Sequence, residues 1–225
     1  MNNSTASNAN LQKLGNEVIS IIYIFAVIST ITVCLDLYVN SRLSSTDWDT
    51  MFFYDSGFYK ALDIFYTLDF LMFWTSMLGI IWFTHKSQLY NFDRGIQDLK
   101  YSPTWIGIWF LIPVLNLWMP FRAVRETYLS SFKVKKNKFD ITDFKARQLF
   151  SYWWSFWVIG HVADGPVNSF YRYDLPDAAI MLSSLSNLLF VGSALYFIGI
   201  IKLIYLNQII TQDDLSLVTR KKGSP

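Results

Sequence analysis

Four stretches of this chain are too long and too apolar to suit a soluble fold. Val18 to Tyr38, Ala61 to Thr84, Phe144 to Ala163 and Ala178 to Leu206 each offer the ~20 mostly apolar residues that a membrane-crossing helix needs. The third ends just before Asp164-Gly165-Pro166, a run that breaks helices, and the fourth is long enough to tilt or to emerge into water. Charge is correspondingly scarce. Charged residues make up 16% of the chain and hydrophobic ones 52%, where an average soluble domain carries about 25% charged residues. That deficit argues against a soluble enzyme or nucleic-acid binder, and a net charge of +2 is too small to call for a polyanionic partner. The single cysteine, Cys34, lies inside the first apolar run and rules out an internal disulfide framework or a thiolate metal cluster. The opening MNNSTASNANLQ has neither the basic start nor the cleavage site of a signal peptide, so Val18 to Tyr38 reads as a retained anchor. The expectation is an all-α integral membrane protein, with a polar cytoplasmic tail over 1–17, a single transmembrane domain over 18–212 and a cytoplasmic tail over 213–225.

A fifth apolar stretch, Thr104 to Met119, is framed by Pro103 and Pro120 and interrupted by Pro113 and Asn116. As a straight helix it would rise only ~24 Å, short of the ~30 Å hydrocarbon core, and Pro113 should bend it by removing an amide donor. Charge decides how the stretch is used. With four spans, sixteen of the nineteen lysines and arginines fall on one side, while Arg42, Lys60 and Arg172 fall on the other beside Asp47, Asp49, Asp55, Asp164, Asp174 and Asp177. Basic loops stay cytoplasmic, which puts both termini inside and makes 104–119 a re-entrant or interfacial hairpin. Over 120–133, Phe121, Val124, Tyr128 and Phe132 recur at three- and four-residue spacing, with Arg122, Arg125, Glu126 and Lys133 opposite. That is the pattern of an amphipathic helix on the cytoplasmic surface, and Pro120 suits its first turn. Arg122, Arg125, Lys133, Lys135, Lys136 and Lys138 would meet anionic headgroups, at about 1 kcal/mol for each near-surface charge.

Polar residues inside the spans are the next signal. Asp69 lies eight residues into the second span, ~12 Å from its outer end. At a span centre an aspartate costs about 2.5–3.5 kcal/mol on insertion scales, so it should face other helices or water. The same depth along the other spans reaches Thr30 with Ser29, Ser155, and Asn187 with Ser186. Asp69, Asn187, Thr30 and Ser155 are therefore expected to form a polar layer. It serves either as a proton or cation site or, with more weight, as a structural hydrogen bond between Asp69 and Asn187, a kind that averages about 0.6 kcal/mol. Asp36 and Asp63 fall near the outer headgroups, where a carboxylate is ordinary. His85 and His161 lie at opposite ends of their spans, which prevents them from ligating one haem iron. His161 with Asp164 could form a pH-sensitive pair, an interfacial histidine being the plainer reading. Trp105, Trp109, Pro113, Asn116 and Trp118 would line a hairpin groove for an acyl chain or partner helix, although tryptophans also serve as plain interfacial anchors. No zinc, phosphate-cradling or nucleophile-elbow motif is present, so no metal, cofactor or catalytic residue is expected.

The run from Trp82 to Tyr128 carries a distinctive pattern: Trp82, Asn91, Ser102-Pro103-x-Trp105, Trp109-Phe110-x-x-Pro113-x-x-Asn116-Leu117-x-x-Pro120 and Arg125-Glu126. With Trp153-Trp154 and Gln212, it resembles the domain-of-unknown-function 4328 family of bacterial polytopic membrane proteins. Lys86, where relatives often show arginine, and the longer basic insertion at Lys133 to Lys138 depart from that pattern. The resemblance implies a bacterial inner-membrane protein and no chemistry. The expected function is non-catalytic organisation of lipid or of a partner. Anionic cytoplasmic lipids, and a membrane protein or second copy, are the expected partners, with no nucleic acid. The alternative is a small transporter or channel using Asp69, weakened by the lack of an internal repeat. An intramembrane enzyme ranks last, because no nucleophile–base or metal set converges.

Overall fold

The computed structural model describes residues 3–43, 56–96, 99–112, 115–131, 140–173 and 175–222. An unpaired backbone group in apolar surroundings costs several kcal/mol, and a helix pairs such groups within one segment. The described residues accordingly form helices and turns: α1 (Asn3–Leu43), α2 (Ser56–Asp93), α3 (Pro103–Leu111), a 3-10 turn (Leu115–Leu117), α4 (Met119–Ser131), α5 (Asp140–Asp164), α6 (Val167–Arg172) and α7 (Pro176–Lys222). Among the described residues, three helical stretches are long and apolar enough to cross a membrane: Asn10–Ser41, Lys60–Asp93 and Pro176–Gln208. The expected span 144–163 lies within α5, which mixes Arg147, Gln148 and His161 into its aromatic run.

Helix and hydropathy boundaries differ. α1 begins in the polar tail and α7 continues to Lys222, and the apolar stretch of α7 meets no glycine or proline stop signal where it turns polar. At 41 and 47 residues, these helices rise ~62 Å and ~70 Å, about twice a ~30 Å hydrocarbon core.

The chain divides into two compact units. The first comprises Met1–Ser20, Met77–Ser151 and Phe197–Pro225, and the second Ile21–Ser76 and Tyr152–Tyr196. In the first unit, Gly15 of α1 lets α2 and α7 come close: a Cβ there would lie 3.1 Å from Tyr205, 3.3 Å from Phe83 and 3.4 Å from Ile201. Phe83, Ile106, Val124, Ile201 and Ile204 are buried in the same unit. α3 starts on Pro103 with Ser102 as its cap, the serine side chain accepting from the Trp105 amide, as helix-start chemistry favours. α3 stops at Leu111 and α4 starts at Met119, so the chain breaks its helix around the expected bend; Pro113 itself lies outside the described residues.

In the second unit, aromatic rings from four helices form one layer. Phe73 stacks on Trp157 (centroids 6.1 Å apart, planes at 4°) and meets Phe25 and Phe190 at 6.0 and 5.3 Å. Gly160 of α5 is where α7 approaches most closely, since a Cβ there would sit 2.8 Å from Phe190 Cε1. Small residues at such crossings are how helices pack without a hydrophobic driving force between them. Phe190 is held by Phe73, Trp157 and His161 and has little room to yield. We therefore expect Gly160→Ala to cost about 1–3 kcal/mol through overpacking, read as a lower unfolding midpoint in detergent. An unchanged midpoint would show that the ring moves freely.

Candidate functional site

Lys100 to Ser131 carries the prolines and tryptophans that mark the sequence, and within the first unit it is pinned by polar side chains of α2, one of which is held in turn by α7. His85, Gln88 and Asn91 recur every three residues on α2 and so share one side of the helix. His85 Nδ1–H donates to the Pro103 carbonyl at 2.8 Å. Gln88 Nε2 donates to the Tyr101 carbonyl at 3.2 Å and to Glu126 Oε2 at 3.4 Å. Asn91 Nδ2 donates to Ser130 Oγ at 2.7 Å and to the Thr127 carbonyl at 3.1 Å. Its Oδ1 accepts from Gln208 Nε2 of α7 at 2.8 Å, and the same Nε2 reaches the Ser87 carbonyl at 3.1 Å. Gln88, Asn91 and Gln208 are 0% exposed. A carboxamide carries donors and an acceptor on one side chain, so each of these can bridge two elements.

Glu126 departs from its expected outward position. It is half-buried, its carboxylate accepting from the backbone amides of Lys100 and Tyr101 as well as from Gln88. Charge-assisted bonds to otherwise unpaired turn amides offset its partial burial. α4 presents Val124 and Tyr128 inward as the periodicity predicts. Their cover includes protein, with Phe150 of α5 meeting Tyr128 at 5.4 Å and Phe121 at 6.3 Å. The apolar stripe of this amphipathic helix is thus largely committed to packing within the unit.

The other side of the segment is open. Trp105 (53% exposed), Ile108, Ile112 and Trp118 project outward, followed on α4 by exposed Arg122 and Arg125. Trp109, expected to share a groove with Trp105, is half-buried with its ring edge-on to Tyr101 at 4.8 Å. Asn116 is half-buried in the 3-10 turn, with its Oδ1 unpartnered. Pro113, Lys133, Lys135, Lys136 and Lys138 lie outside the described residues.

In the second unit, the expected polar layer has different members. Thr30 is exposed and returns its hydroxyl to the Ala26 carbonyl at 2.7 Å. Ser155 is exposed and Asn187 half-buried. Ser29 and Ser186, their neighbours or near neighbours in sequence, face inward at 0% and 1% exposure. Ser29 lies beside Asp69, whereas Ser186 donates to the Gly160 carbonyl at 3.1 Å. Asp69 Oδ1 is buried without a hydrogen bond, so it makes none to Asn187. His161 packs its ring edge-on to Trp157 at 4.5 Å, with Nε2 unpartnered, while Asp164 is exposed.

Asp36 was not among the expected site residues, yet it is 3% exposed and accepts from Tyr66 and Ser184. A usable signal was present. Leu11, Gly15, Val18, Ile22, Phe25, Ser29, Thr32, Asp36 and Val39 alternate four- and three-residue steps, and all are buried. That is the spacing of an inward-facing helix seam.

A family model described as Domain of unknown function (DUF4328) matches residues 57–208, more than half of the chain. The match runs from α2 to Gln208 and so covers every side chain of the lattice above. No curated protein matches the chain, and no solved structure does either. For this network we expect Glu126→Ala to cost about 1 kcal/mol by removing its bonds to the Lys100 and Tyr101 amides and to speed hydrogen exchange at those two amides. Unaltered exchange there would mean that Glu126 does not hold the segment.

Proposed function

We propose that this chain, which belongs to the DUF4328 family, is a four-span protein of the bacterial inner membrane that organises anionic lipid at the cytoplasmic face without catalysis. The observation that carries this reading is the outward set Trp105, Ile108, Ile112 and Trp118, mounted on a backbone pinned from behind by Gln88, Asn91 and Glu126. Indole rings favour the membrane interface, and a prearranged surface loses little conformational freedom on binding. Arg122 and Arg125 follow directly and supply positive charge.

In this reading α5 is the fourth span. Its 25 residues rise ~37 Å, enough to cross a ~30 Å core. α3 and α4, at 9 and 13 residues, rise only ~14 and ~20 Å, which supports keeping 104–119 on the cytoplasmic side as a re-entrant or interfacial hairpin. The basic residues, sixteen of nineteen on one side under this topology, support cytoplasmic termini. Only 11% of the apolar window of α2 is buried within the chain, which leaves that helix to be covered by lipid tails, a second copy or a membrane-protein partner. A second reading, a small transporter or channel using Asp69, is favoured by the unpartnered Asp69 Oδ1.

Native mass spectrometry after gentle extraction tests the lipid reading. The wild type should retain anionic phospholipid over zwitterionic phospholipid. Neutralising Arg122 and Arg125 to glutamine should weaken that retention by about 1 kcal/mol, or roughly fivefold, per charge. Equal retention of both lipid classes by the wild type would overturn the proposal.

A further inference from the structure

Two carboxyls lie within the helix packing of the second unit, and the lipid reading uses neither. Asp36 of α1 is 3% exposed, with Oδ1 accepting from the Tyr66 hydroxyl of α2 and Oδ2 from Ser184 Oγ of α7 at 3.2 Å. Asp69 of α2 is close enough to interact electrostatically with Asp36. The other titratable groups about this pair are Asp63 on α2 and Tyr171 on α6, while α5 brings His161 and Asp164 to the unit. No lysine or arginine among the described residues faces either carboxyl.

The two carboxyls are served unequally. Asp36 has a donor on each oxygen, the arrangement that suits an anion. Asp69 Oδ1 is sealed from solvent and receives no hydrogen bond. Beside it lies the hydroxyl of Ser29, a residue 0% exposed whose Oγ is also without a partner. With no cation facing it, an ionised Asp69 would leave its sealed Oδ1 without water or a donor and would be repelled by the Asp36 carboxylate, and a single proton on Asp69 relieves both problems. Hydrogen-bond supply decides which group takes it, since unequal surroundings divide acid from base within such pairs. A protonated Asp69 is a donor, and the unpaired Ser29 oxygen is an acceptor within reach of a small side-chain adjustment.

We propose that Asp69 is a proton-binding site holding one exchangeable proton, with Ser29 as its acceptor, while Asp36 remains the hydrogen-bonded carboxylate. The site stands independently of the lipid reading, and either can fail alone.

Infrared spectroscopy of the full chain in lipid vesicles at neutral pH tests it, because only a protonated carboxyl shows the acid C=O stretching band. The wild type should show that band, shifted in heavy water by exchange of the proton. Asp69→Asn, nearly isosteric with the neutral acid, should keep the wild-type unfolding midpoint and lose the band. Asp69→Glu should restore a band at altered frequency, which keeps the test decisive if the asparagine variant folds poorly. Absence of the band from the wild type, or its survival in folded Asp69→Asn, overturns the proposal. A band unmoved by heavy water also overturns it, because the proton would then be locked in place.

Discussion

A polar group without a partner in apolar surroundings costs several kcal/mol, and this chain is arranged around that cost. Its backbone answers with helices. Its hydroxyls answer mostly within their own turn: Thr30, Thr32, Thr67, Thr75 and Thr84 each donate to the carbonyl four residues earlier. Such bonds need no neighbouring helix and say little about packing. Carboxamides and carboxylates are different, because their groups reach past the parent helix, and their partners report how the helices are assembled.

Each unit carries its own set of these longer polar groups. In the first, Gln88 bonds to Glu126 and Asn91 to Gln208, so that loss of one member of a pair costs the other a partner. A network of this kind rigidifies what it holds, here the turn at Lys100–Tyr101 and the α4 residues Thr127 and Ser130. Rigidity is what an exposed set of indoles needs if it is to present one surface. Pairing is incomplete in both units, at Gln88 Oε1 and Gln208 Oε1 in the first and at Asp69 Oδ1, Ser29 Oγ and His161 Nε2 in the second. A carboxyl left this way differs from a carboxamide, because it can answer by taking up a proton.

Much of this was legible in the chain itself. The helical class and the positions of its apolar stretches follow from hydropathy, and the helix break around 112–118 follows from Pro113 and its neighbours. The motif Asn91, Ser102-Pro103-x-Trp105 and Glu126, read as a family resemblance, proves to include several hydrogen-bonding residues: Asn91 with Thr127 and Ser130, Pro103 with His85, and Glu126 with the Lys100 and Tyr101 amides. The rest depended on helix rotation. Each residue turns a helix by about 100°, so depth along the span does not say which neighbour faces inward: Ser29 faces inward where Thr30 faces out, and Ser186 is more buried than Asn187. Asp36 was passed over because depth near the outer end made it ordinary, although the four–three spacing of α1 marks its side of the helix. Glu126 comes just after the outward-facing Arg122 and Arg125, and the amides of Lys100 and Tyr101 explain why it turns in.

The sequence by itself determined that the chain is helical, where it is apolar enough to cross a membrane, and where the helix must break. Those properties accumulate locally along the chain, through side-chain hydropathy and the missing amide of proline. Only the tertiary structure decided which polar side chains meet. That choice rests on rotations set by close contacts between residues far apart in sequence: Gly160 against Phe190, Gly15 against Phe83 and Tyr205, and Phe73 flat on Trp157. A turn of one residue at any of these would exchange a buried carboxyl for an exposed one.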